Sequence, residues 1–308
     1  MTRPSIVRFQ KFILHWFRKN RRDTLPWRWN KSRPVEPYRI LVSEVMLQQT
    51  QVLRVLKKYP EFIRAFPTVD DLAGASLRDV LTVWQGMGYN RRAVYLKRTA
   101  EILVARHKGK MPDDPRVLQT LPGIGPYTAG AVACFAYNRP AVFLETNIRK
   151  VFIHHFFSRQ HGIPHPHLPP SHRRGKEPYR FPPPQTGRGL GWGFPKISDK
   201  EILPIAEAAL WKNNPRQWHY ALMDYGAIEL SRESELLARA KSYHKQSRFA
   251  GSSRYWRSQI VKYLLKHRNA DKHALQRLVP SPVSPFLISL VKDNLITASP
   301  DGRYKISG

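Results

Sequence analysis

The stretch LPGIGPYTAG, at residues 121–130, constrains the fold of this chain more than any other. It separates two runs whose apolar residues recur at helical spacing, and its two glycines permit a tight reversal with positive φ. Pro126 and Tyr127 then open the second helix, whose first N–H groups lack an intrahelical acceptor. Leu121 and Ile124 can pack between the helices. The stretch therefore predicts two helices joined by a hairpin.

Such a hairpin suits a bound anion. Glycine backbone allows close approach, and the positive end of the second helix attracts a phosphate group. Contacts of this kind grip a DNA backbone without reading its sequence. We interpret the stretch as a DNA-binding helix-hairpin-helix motif, with an ordinary glycine-rich turn as the structural alternative. The candidate contacts are Leu121, Gly123, Ile124, Gly125 and Thr128.

The charge of the chain points to the same partner. Its 308 residues include 52 Lys and Arg against 22 Asp and Glu, a formal charge of +30. A domain this basic repels itself unless it meets a polyanion, and phosphate neutralisation releases counterions. We expect a nucleic acid as the partner; a basic surface of the ribosomal kind is the alternative.

Helical spacing dominates the first 240 residues, and alternating strand patterns are nearly absent before residue 295. We predict an all-α fold with two helical lobes in a domain spanning residues 1–240. Within it, residues 159–196 form a basic insertion rich in proline and glycine, which cannot bury a core. The insertion holds four histidines, and a flexible polar loop is favoured there over a metal site: His161, His165, His167 and His172.

The C-terminal residues have a different character. After a linker at 241–253, residues 254–308 predict three helices and two short strands that flank the turn signal Pro300-Asp301-Gly302. This pattern indicates a small winged-helix-like module. Such modules bind DNA or dock on proteins, and the sequence does not decide between these roles.

A single cysteine, Cys134, lies in the apolar run AGAVACFAY. It can form no intramolecular disulfide and no multi-cysteine metal site, so we expect a buried, inert thiol. No apolar stretch is long enough to span a membrane, and the N-terminal residues lack a signal-peptide core. We expect a cytoplasmic protein associated with the nucleoid, with no metal.

Glu44 lies in the helical run RILVSEVMLQQT, where Leu41, Leu47 and Gln48 share its face. A carboxyl group among aliphatic neighbours loses solvation, which disfavours its charged form and suits it to general-acid catalysis near neutral pH. The structural alternative is an exposed glutamate on a surface helix. We take Glu44 as a candidate catalytic acid.

Glu145 is the second candidate acid, placed after the apolar run AVFL and before a Thr-Asn pair. Two carboxyl groups, one protonated and one ionised, are what cleavage of a glycosidic bond requires. Joined to a DNA clamp, the pair predicts removal of a base from its deoxyribose, after the base has left the stack. A glutamate that only caps the following helix is the alternative.

Seven stretches of the chain resemble, in order, the helix-hairpin-helix base-excision glycosylases. The resemblance is closest to the adenine DNA glycosylases that act on A/G mismatches, and it covers about residues 10 to 230 apart from the basic insertion. The stretches are LPWRW, PYRILVSEVMLQQTQV, FPTVDDLA, WQGMGYNRRA, LPGIGPYTAGAV, LETNIRKVF and ALMDYGA.

The resemblance implies a role for each candidate residue. Glu44 matches the acid that protonates the adenine ring, and Glu145 falls on the essential aspartate of the family, one methylene longer. Tyr127 matches a hairpin tyrosine near the cleaved nucleotide, and Tyr89 matches an aromatic wedge beside the opposing oxidised guanine.

Further residues follow from the same resemblance. Those of the minor-groove loop are Gln48, Gln49 and Thr50; those of the base pocket are Arg22 and Trp27; and further DNA contacts are Asn147 and Arg149. Bifunctional relatives carry a lysine where this chain has Tyr127, and a tyrosine cannot form an imine, which indicates a monofunctional, hydrolytic enzyme.

Two departures from the family pattern concern cofactor and specificity. Related enzymes carry four cysteines after the MDYGA stretch, but the corresponding residues here contain none, so we expect no iron–sulfur cluster and no other cofactor. The winged-helix-like module stands where typical adenine glycosylases have a domain that recognises oxidised guanine.

The sequence thus predicts a monofunctional, monomeric DNA glycosylase that removes adenine mispaired with guanine or 8-oxoguanine in double-stranded DNA. One alternative is a thymine DNA glycosylase acting on T:G mismatches. The other is a DNA-binding protein on the same fold with little or no catalysis, which the glutamate at position 145 favours.

Overall fold

The structure is a computed structural model that describes residues 3–28, 36–157, 196–243 and 248–308. Helices dominate it, which confirms the all-α prediction. All but Lys196 of the predicted basic insertion, including its four histidines, lies outside the described residues, as do residues 244–247 of the predicted linker. The helices are α1 Arg3–Asn20, α2 Pro37–Leu47, α3 Val52–Ala65, α4 Val69–Gly74, α5 Leu77–Trp84, α6 Arg91–His107, α7 Pro115–Leu118, α8 Pro126–Tyr137, α9 Thr146–Phe152, α10 Asp199–Ala208, α11 Pro215–Ile228, α12 Ser234–Arg239, α13 Ser253–His267, α14 Lys272–Gln276 and α15 Ser284–Lys292.

The chain divides into two compact units, each assembled from three segments. Unit 1 comprises Met1–Asn20, Leu144–Leu210 and His219–His244; unit 2 comprises Arg21–Phe143, Trp211–Trp218 and Lys245–Gly308. The C-terminal residues therefore cluster with the α2–α8 region. The boundaries predicted at residues 240 and 254 stay a prediction.

Unit 2 is built around α2 and α6. Helix α2 packs on α8 and α3, while α6 packs on α4 and α5. Helices α4 and α5 are separate, because Ser76 caps α5 through a bond from the backbone N–H of Asp79. Thr68 and Asp71 form a capping box at the start of α4. Phe62 and Trp84 are fully buried and pack edge to face, with ring centroids 5.8 Å apart.

The C-terminal part of unit 2 is a winged-helix arrangement, as predicted, with one strand more than expected. Three antiparallel strands, β1 Asn269–Ala270, β2 Ile296–Ala298 and β3 Tyr304–Ile306, form a sheet in the order β1-β3-β2. The predicted two-stranded hairpin is present as β2 and β3, and β1 adds a third strand beside β3 that was not predicted. A strand of two residues is too short to show alternation, so no sequence pattern announces β1.

Unit 1 holds α1, α9, α10, α12, residues 219–228 of α11 and a π-helical turn, Ile153–Phe157. Phe9 of α1 packs edge to face on Phe156, with centroids 4.9 Å apart. Ile197 forms an isolated parallel bridge with Ala240. Among the helices of the described residues, none has the length and apolar character needed to cross a membrane.

Candidate functional site

Glu44 lies in α2 of unit 2 and is buried, with 3% of its surface exposed. The hydroxyl of Tyr127 donates a hydrogen bond of 3.0 Å to Glu44 Oε2. Helix α2 supplies the acid and the first turn of α8 supplies the tyrosine, so the hairpin brings them together. The alternative of an exposed surface glutamate is thereby wrong.

The Tyr127 ring is held by aromatic packing. It lies edge to face on Phe143, with centroids 5.6 Å apart, and Phe143 packs in the same way on Phe135. One turn from Glu44, the side-chain amide of Gln48 donates to Thr128 Oγ1 at 3.2 Å. Two contacts therefore join the end of α2 to the start of α8.

The hairpin has the predicted division between packing and exposure. Leu121 and Ile124 are buried, whereas Gly123 and Gly125 are exposed. Gly123 has φ +72°, and a Cβ there would lie 2.7 Å from the ring of Tyr95, so only glycine fits.

Gly125 differs from the expectation of positive φ. It is extended (φ −85°, ψ 177°) and forms the N-cap of α8, and a Cβ there would meet no atom of the described residues within 4 Å. No contact with the described residues requires a glycine at this position, and the exposed backbone is open to a ligand.

Arg92 is a residue that reasoning from the sequence missed. Its guanidinium is buried at the start of α6, and burial lowers its pKa to about 10, so it stays charged at neutral pH. It donates to six acceptors, which lie in the end of α2, the loop after it and the loop before α6. They are the carbonyl oxygens of Val45 and Met46 (both 2.9 Å), Gln48 (2.6 Å), Met87 and Gly88 (both 3.2 Å), and Thr50 Oγ1 (3.1 Å).

This arginine ties two predicted DNA-contacting loops to each other. Gln49 is exposed at φ +53° in one loop, and Tyr89 is half-buried at φ +47° in the other. The Arg92 Cζ also lies 5.5 Å from the centroid of the Tyr89 ring, within cation–π range.

A cleft adjoins the same elements. Helix α2, helix α6 and the hairpin all contribute to its walls, so the helix that carries Glu44 and the hairpin share one concave surface of unit 2. The lining residues are Leu41, Val45, Gln48, Arg92, Tyr95, Leu96, Thr99, Pro122, Gly123 and Ile124.

Glu145 belongs to unit 1 and is the N-cap of α9. Its Oε1 accepts the backbone N–H groups of Asn147 at 2.7 Å and Ile148 at 2.8 Å. Burial of the carboxyl raises its pKa above the ordinary value, while those two bonds and the charges of Arg149 and Lys150 act in the opposite direction. Glu145 therefore caps α9, as the structural alternative proposed. Its role in catalysis stays a prediction.

The neighbours of Glu145 are firmly placed. Arg149 forms a bidentate ion pair with Asp199, at 2.8 and 2.7 Å, and a phosphate contact would compete with this pair. Gly226, in the ALMDYGA stretch, packs against the backbone of Asn147, and a Cβ there would lie 2.8 Å from its carbonyl carbon. The DNA contacts predicted for Asn147 and Arg149 stay predictions.

The predicted base-pocket residues lie in unit 2. Trp27 is buried and packs edge to face on Tyr59, with centroids 5.5 Å apart, and Arg22 is half-buried. These contacts account for Trp27 as a core residue, and its role in a base pocket stays a prediction.

Two observations bear on metal binding. Cys134 is buried in α8, as predicted, and burial raises the pKa of its thiol to about 12. The residues after the MDYGA stretch contain no cysteine. One of them, Arg239, instead accepts a hydrogen bond of 2.7 Å at its carbonyl oxygen from the backbone N–H of Ile197. They do not fit an iron–sulfur cluster, which needs thiolate ligands.

A mostly helical fold with a buried acid against a helix-hairpin-helix motif is the arrangement expected of base-excision repair proteins. Residues 42–167 match the family described as "HhH-GPD superfamily base excision DNA repair protein". The chain is 31% identical to a Mycolicibacterium smegmatis protein named adenine DNA glycosylase over 310 residues, covering 96% of this chain and 95% of that protein. The chain therefore belongs to the HhH-GPD superfamily of base-excision DNA repair proteins, among the relatives of the adenine DNA glycosylases.

Two further comparisons concern a partial sequence match and a solved structure. A Mycobacterium tuberculosis protein named adenine DNA glycosylase is 47% identical over 139 residues, which are 45% of this chain; the match spans less than half of that relative, 44%. A solved structure described as a thermostable thymine-DNA glycosylase superposes with a TM-score of 0.55 at 24% identity, over 73% of this chain and 87% of that one. At that identity the likeness concerns the fold alone.

Proposed function

We propose that this protein is a monofunctional DNA glycosylase of base-excision repair, which hydrolyses the N-glycosidic bond of adenine opposite guanine or 8-oxoguanine in double-stranded DNA. The observation that carries the proposal is the buried Glu44 carboxyl bonded to Tyr127 at the hairpin. Burying a carboxyl group costs free energy, and such groups concentrate at functional sites, which favours a role for Glu44 in proton exchange with a ligand.

The chemistry assigns a task to each carboxyl group. Glu44 delivers its proton to adenine, which makes the base a better leaving group as the glycosidic bond breaks. The bond electrons leave with adenine, and the sugar becomes an oxocarbenium ion. The Glu145 carboxylate stabilises that cation until water adds at the anomeric carbon and loses a proton. Tyr127 offers no amine, so the reaction ends at hydrolysis without an imine.

The backbone-gripping residues supply positioning in this proposal. The N-terminal end of α8 and the exposed glycines of the hairpin bind a phosphate, while Gln48, Gln49, Thr50 and Tyr89 enter the duplex beside the extruded base. The excess of positive charge provides attraction that is independent of sequence. We further propose that the protein acts as a monomer in the cytoplasm, without an iron–sulfur cluster.

The proposal is tested with three duplexes, carrying A opposite 8-oxoguanine, A opposite G, and T opposite G. Hot alkali then cleaves the strand at abasic sites. Breaks confined to the adenine-bearing strands are the expected result, and breaks on the T:G duplex alone would reveal a thymine glycosylase. Glu44→Gln should reduce base removal by about 10²- to 10⁴-fold, the contribution typical of a general acid, and retain DNA binding.

A specific observation also supports a second candidate, a DNA-binding protein with little catalysis. The Glu145 side chain has an ordinary explanation as the cap of α9, through its bonds to Asn147 and Ile148. A misplacement of a reacting group by about 1 Å can cost about a hundredfold in rate, and glutamate is one methylene longer than aspartate. Tight binding to all three duplexes without strand breaks would favour this candidate.

A further inference from the structure

Tyr89 is held in a backbone conformation that the fold must maintain. Gly86, Gly88 and Tyr89 all have positive φ, of 86°, 71° and 47°. Glycine tolerates this region, but a tyrosine there is strained because its Cβ crowds the backbone. Such a conformation persists only where surrounding groups fix it.

Two arginines contact the Tyr89 side chain, and they come from different parts of unit 2. Arg92, in α6, lies 5.5 Å from the ring centroid and also binds the carbonyl oxygens of the loop before Tyr89. Arg254, in the C-terminal module, lies 5.1 Å from the same centroid, and its guanidinium donates a hydrogen bond to the Tyr89 hydroxyl. Arg254 therefore contacts both the face and the polar tip of the phenol.

Attachment of the C-terminal module has other means of support. Arg78 of α5 donates to the carbonyl oxygens of Leu264 at 3.2 Å, Leu265 at 2.8 Å and Arg268 at 3.2 Å, at the end of α13. Asp293, after α15, pairs with Arg91 of α6. The contact between Arg254 and Tyr89 is thus additional to the bonds that dock the module.

Arg254 also lies where the helix dipole disfavours a positive charge, so a favourable contact elsewhere must offset that effect. It lies in the first turn of α13, whose N-cap is Ser252, and that turn holds no acidic residue. A cation at a helix N-terminus is disfavoured by the helix dipole. The phenol ring and hydroxyl of Tyr89 offset this cost, because both interact favourably with a guanidinium.

We propose that Arg254 is a positioning residue for Tyr89: it fixes the phenol ring for entry into the DNA base stack, so that the C-terminal module takes part in recognising the mispaired site. The inference rests on the proposed function in assigning Tyr89 to the duplex. The module acts here through a protein side chain rather than by reading bases itself.

The test measures binding apart from chemistry. The probe is a duplex with 8-oxoguanine opposite a 2′-fluorinated deoxyadenosine, whose glycosidic bond resists cleavage, and the reference is the matched duplex. The measured quantity is discrimination, the ratio of the two dissociation constants. Arg254→Met, which keeps the apolar stem, should lower discrimination about tenfold, as expected for loss of a cation–π contact and a hydrogen bond. Arg254→Lys should restore only part of it.

A double-mutant cycle separates positioning from a general effect of charge. In a Tyr89→Ala background, Arg254→Met should cause no further loss, because the two residues act as one unit. Lys262→Ala removes the same charge from an exposed position of α13 and should leave discrimination unchanged. Equal losses from Arg254→Met with and without Tyr89 overturn the inference.

A second readout needs no DNA. With 3-fluorotyrosine at position 89, the ¹⁹F resonance should be sharp in the otherwise unchanged protein and altered in shift and width by Arg254→Met, with Lys262→Ala as the control. An unaltered resonance overturns the inference. Discrimination without base removal would overturn the proposed function alone, whereas base removal by a protein with no discrimination would overturn the inference alone.

Discussion

The hydroxyl of Tyr127 donates a hydrogen bond of 3.0 Å to the carboxyl of Glu44, which lies 83 residues earlier in the chain. Tyr127 lies in the first turn of α8, after the hairpin, and Glu44 lies in α2, so this bond fixes the hairpin and the acid to each other. Displacement of the hairpin by DNA would therefore be felt directly at the acid.

Tyr127→Phe tests this connection. The variant keeps the ring that packs on Phe143 but loses the donor, so base removal from an A:8-oxoguanine duplex should slow about tenfold in single-turnover assays, the effect of one hydrogen bond. Tyr137→Phe is the matched control, because that tyrosine lies on the same helix and donates to the carbonyl of Met111 instead. A rate unchanged by Tyr127→Phe would remove the hydroxyl from the mechanism.

Gly125→Ala tests whether the hairpin backbone meets a ligand. The free protein has room for the methyl group and φ is ordinary, so thermal stability should be unchanged. A phosphate on the backbone would clash with it, so the dissociation constant for DNA should rise several-fold. Gly123→Ala should lower the melting temperature because of its positive φ and its approach to Tyr95. DNA binding unaffected by Gly125→Ala would contradict the proposed grip.

The pH dependence of stability tests the environment of Glu145. Its pKa in the folded protein lies above the ordinary value of 4.5, so the folded state holds the proton more tightly than the unfolded chain. The contribution of this group to stability should therefore fall as the pH rises above 4.5, and the fall should end once the folded carboxyl has ionised. The free energy of unfolding is measured by denaturant unfolding at a series of pH values for the natural protein and for Glu145→Gln. Within that pH window it should fall more steeply with pH in the natural protein than in the variant.

The same variants test catalysis at position 145. Because the ionised carboxylate is the form that stabilises a cation, base removal should rise with pH through the raised pKa of Glu145. Glu145→Gln should lose this limb of the profile and most of the rate, while Glu145→Asp should retain it. An unchanged profile in Glu145→Gln would leave the residue as a helix cap.

Gly226→Ala tests the support beneath that segment. A methyl group there meets backbone atoms of Asn147, which cannot yield as a flexible side chain would, so unfolding free energy should fall by about 1–3 kcal/mol. Gly74→Ala provides the control at another helical glycine, where a Cβ meets no described atom within 4 Å. Equal stabilities of the two variants would show that the close approach is not a constraint.

The features predictable from the sequence are those encoded locally. The hairpin, with Leu121 and Ile124 buried, follows from two helical periods and two glycines, and the inert Cys134 follows from its apolar neighbours. The role of Arg92 does not follow, because its acceptors are mainly backbone carbonyl groups, which carry no residue-specific signal. The need for glycine at position 226 cannot be predicted for the same reason, since the atoms that exclude a side chain there belong to the backbone of Asn147, far away in sequence.

The division of the chain bears on how it is made. Unit 1 combines its first helix with segments beginning at Leu144 and His219, and unit 2 is completed only by residues from Lys245 onward. During synthesis the apolar face of the first helix leaves the ribosome long before its packing partners are made. Apolar surface exposed in this way is prone to aggregate. Heterologous production should therefore benefit from slow translation at low temperature or from added chaperones, whereas cutting the chain at the predicted linker would leave unit 2 incomplete.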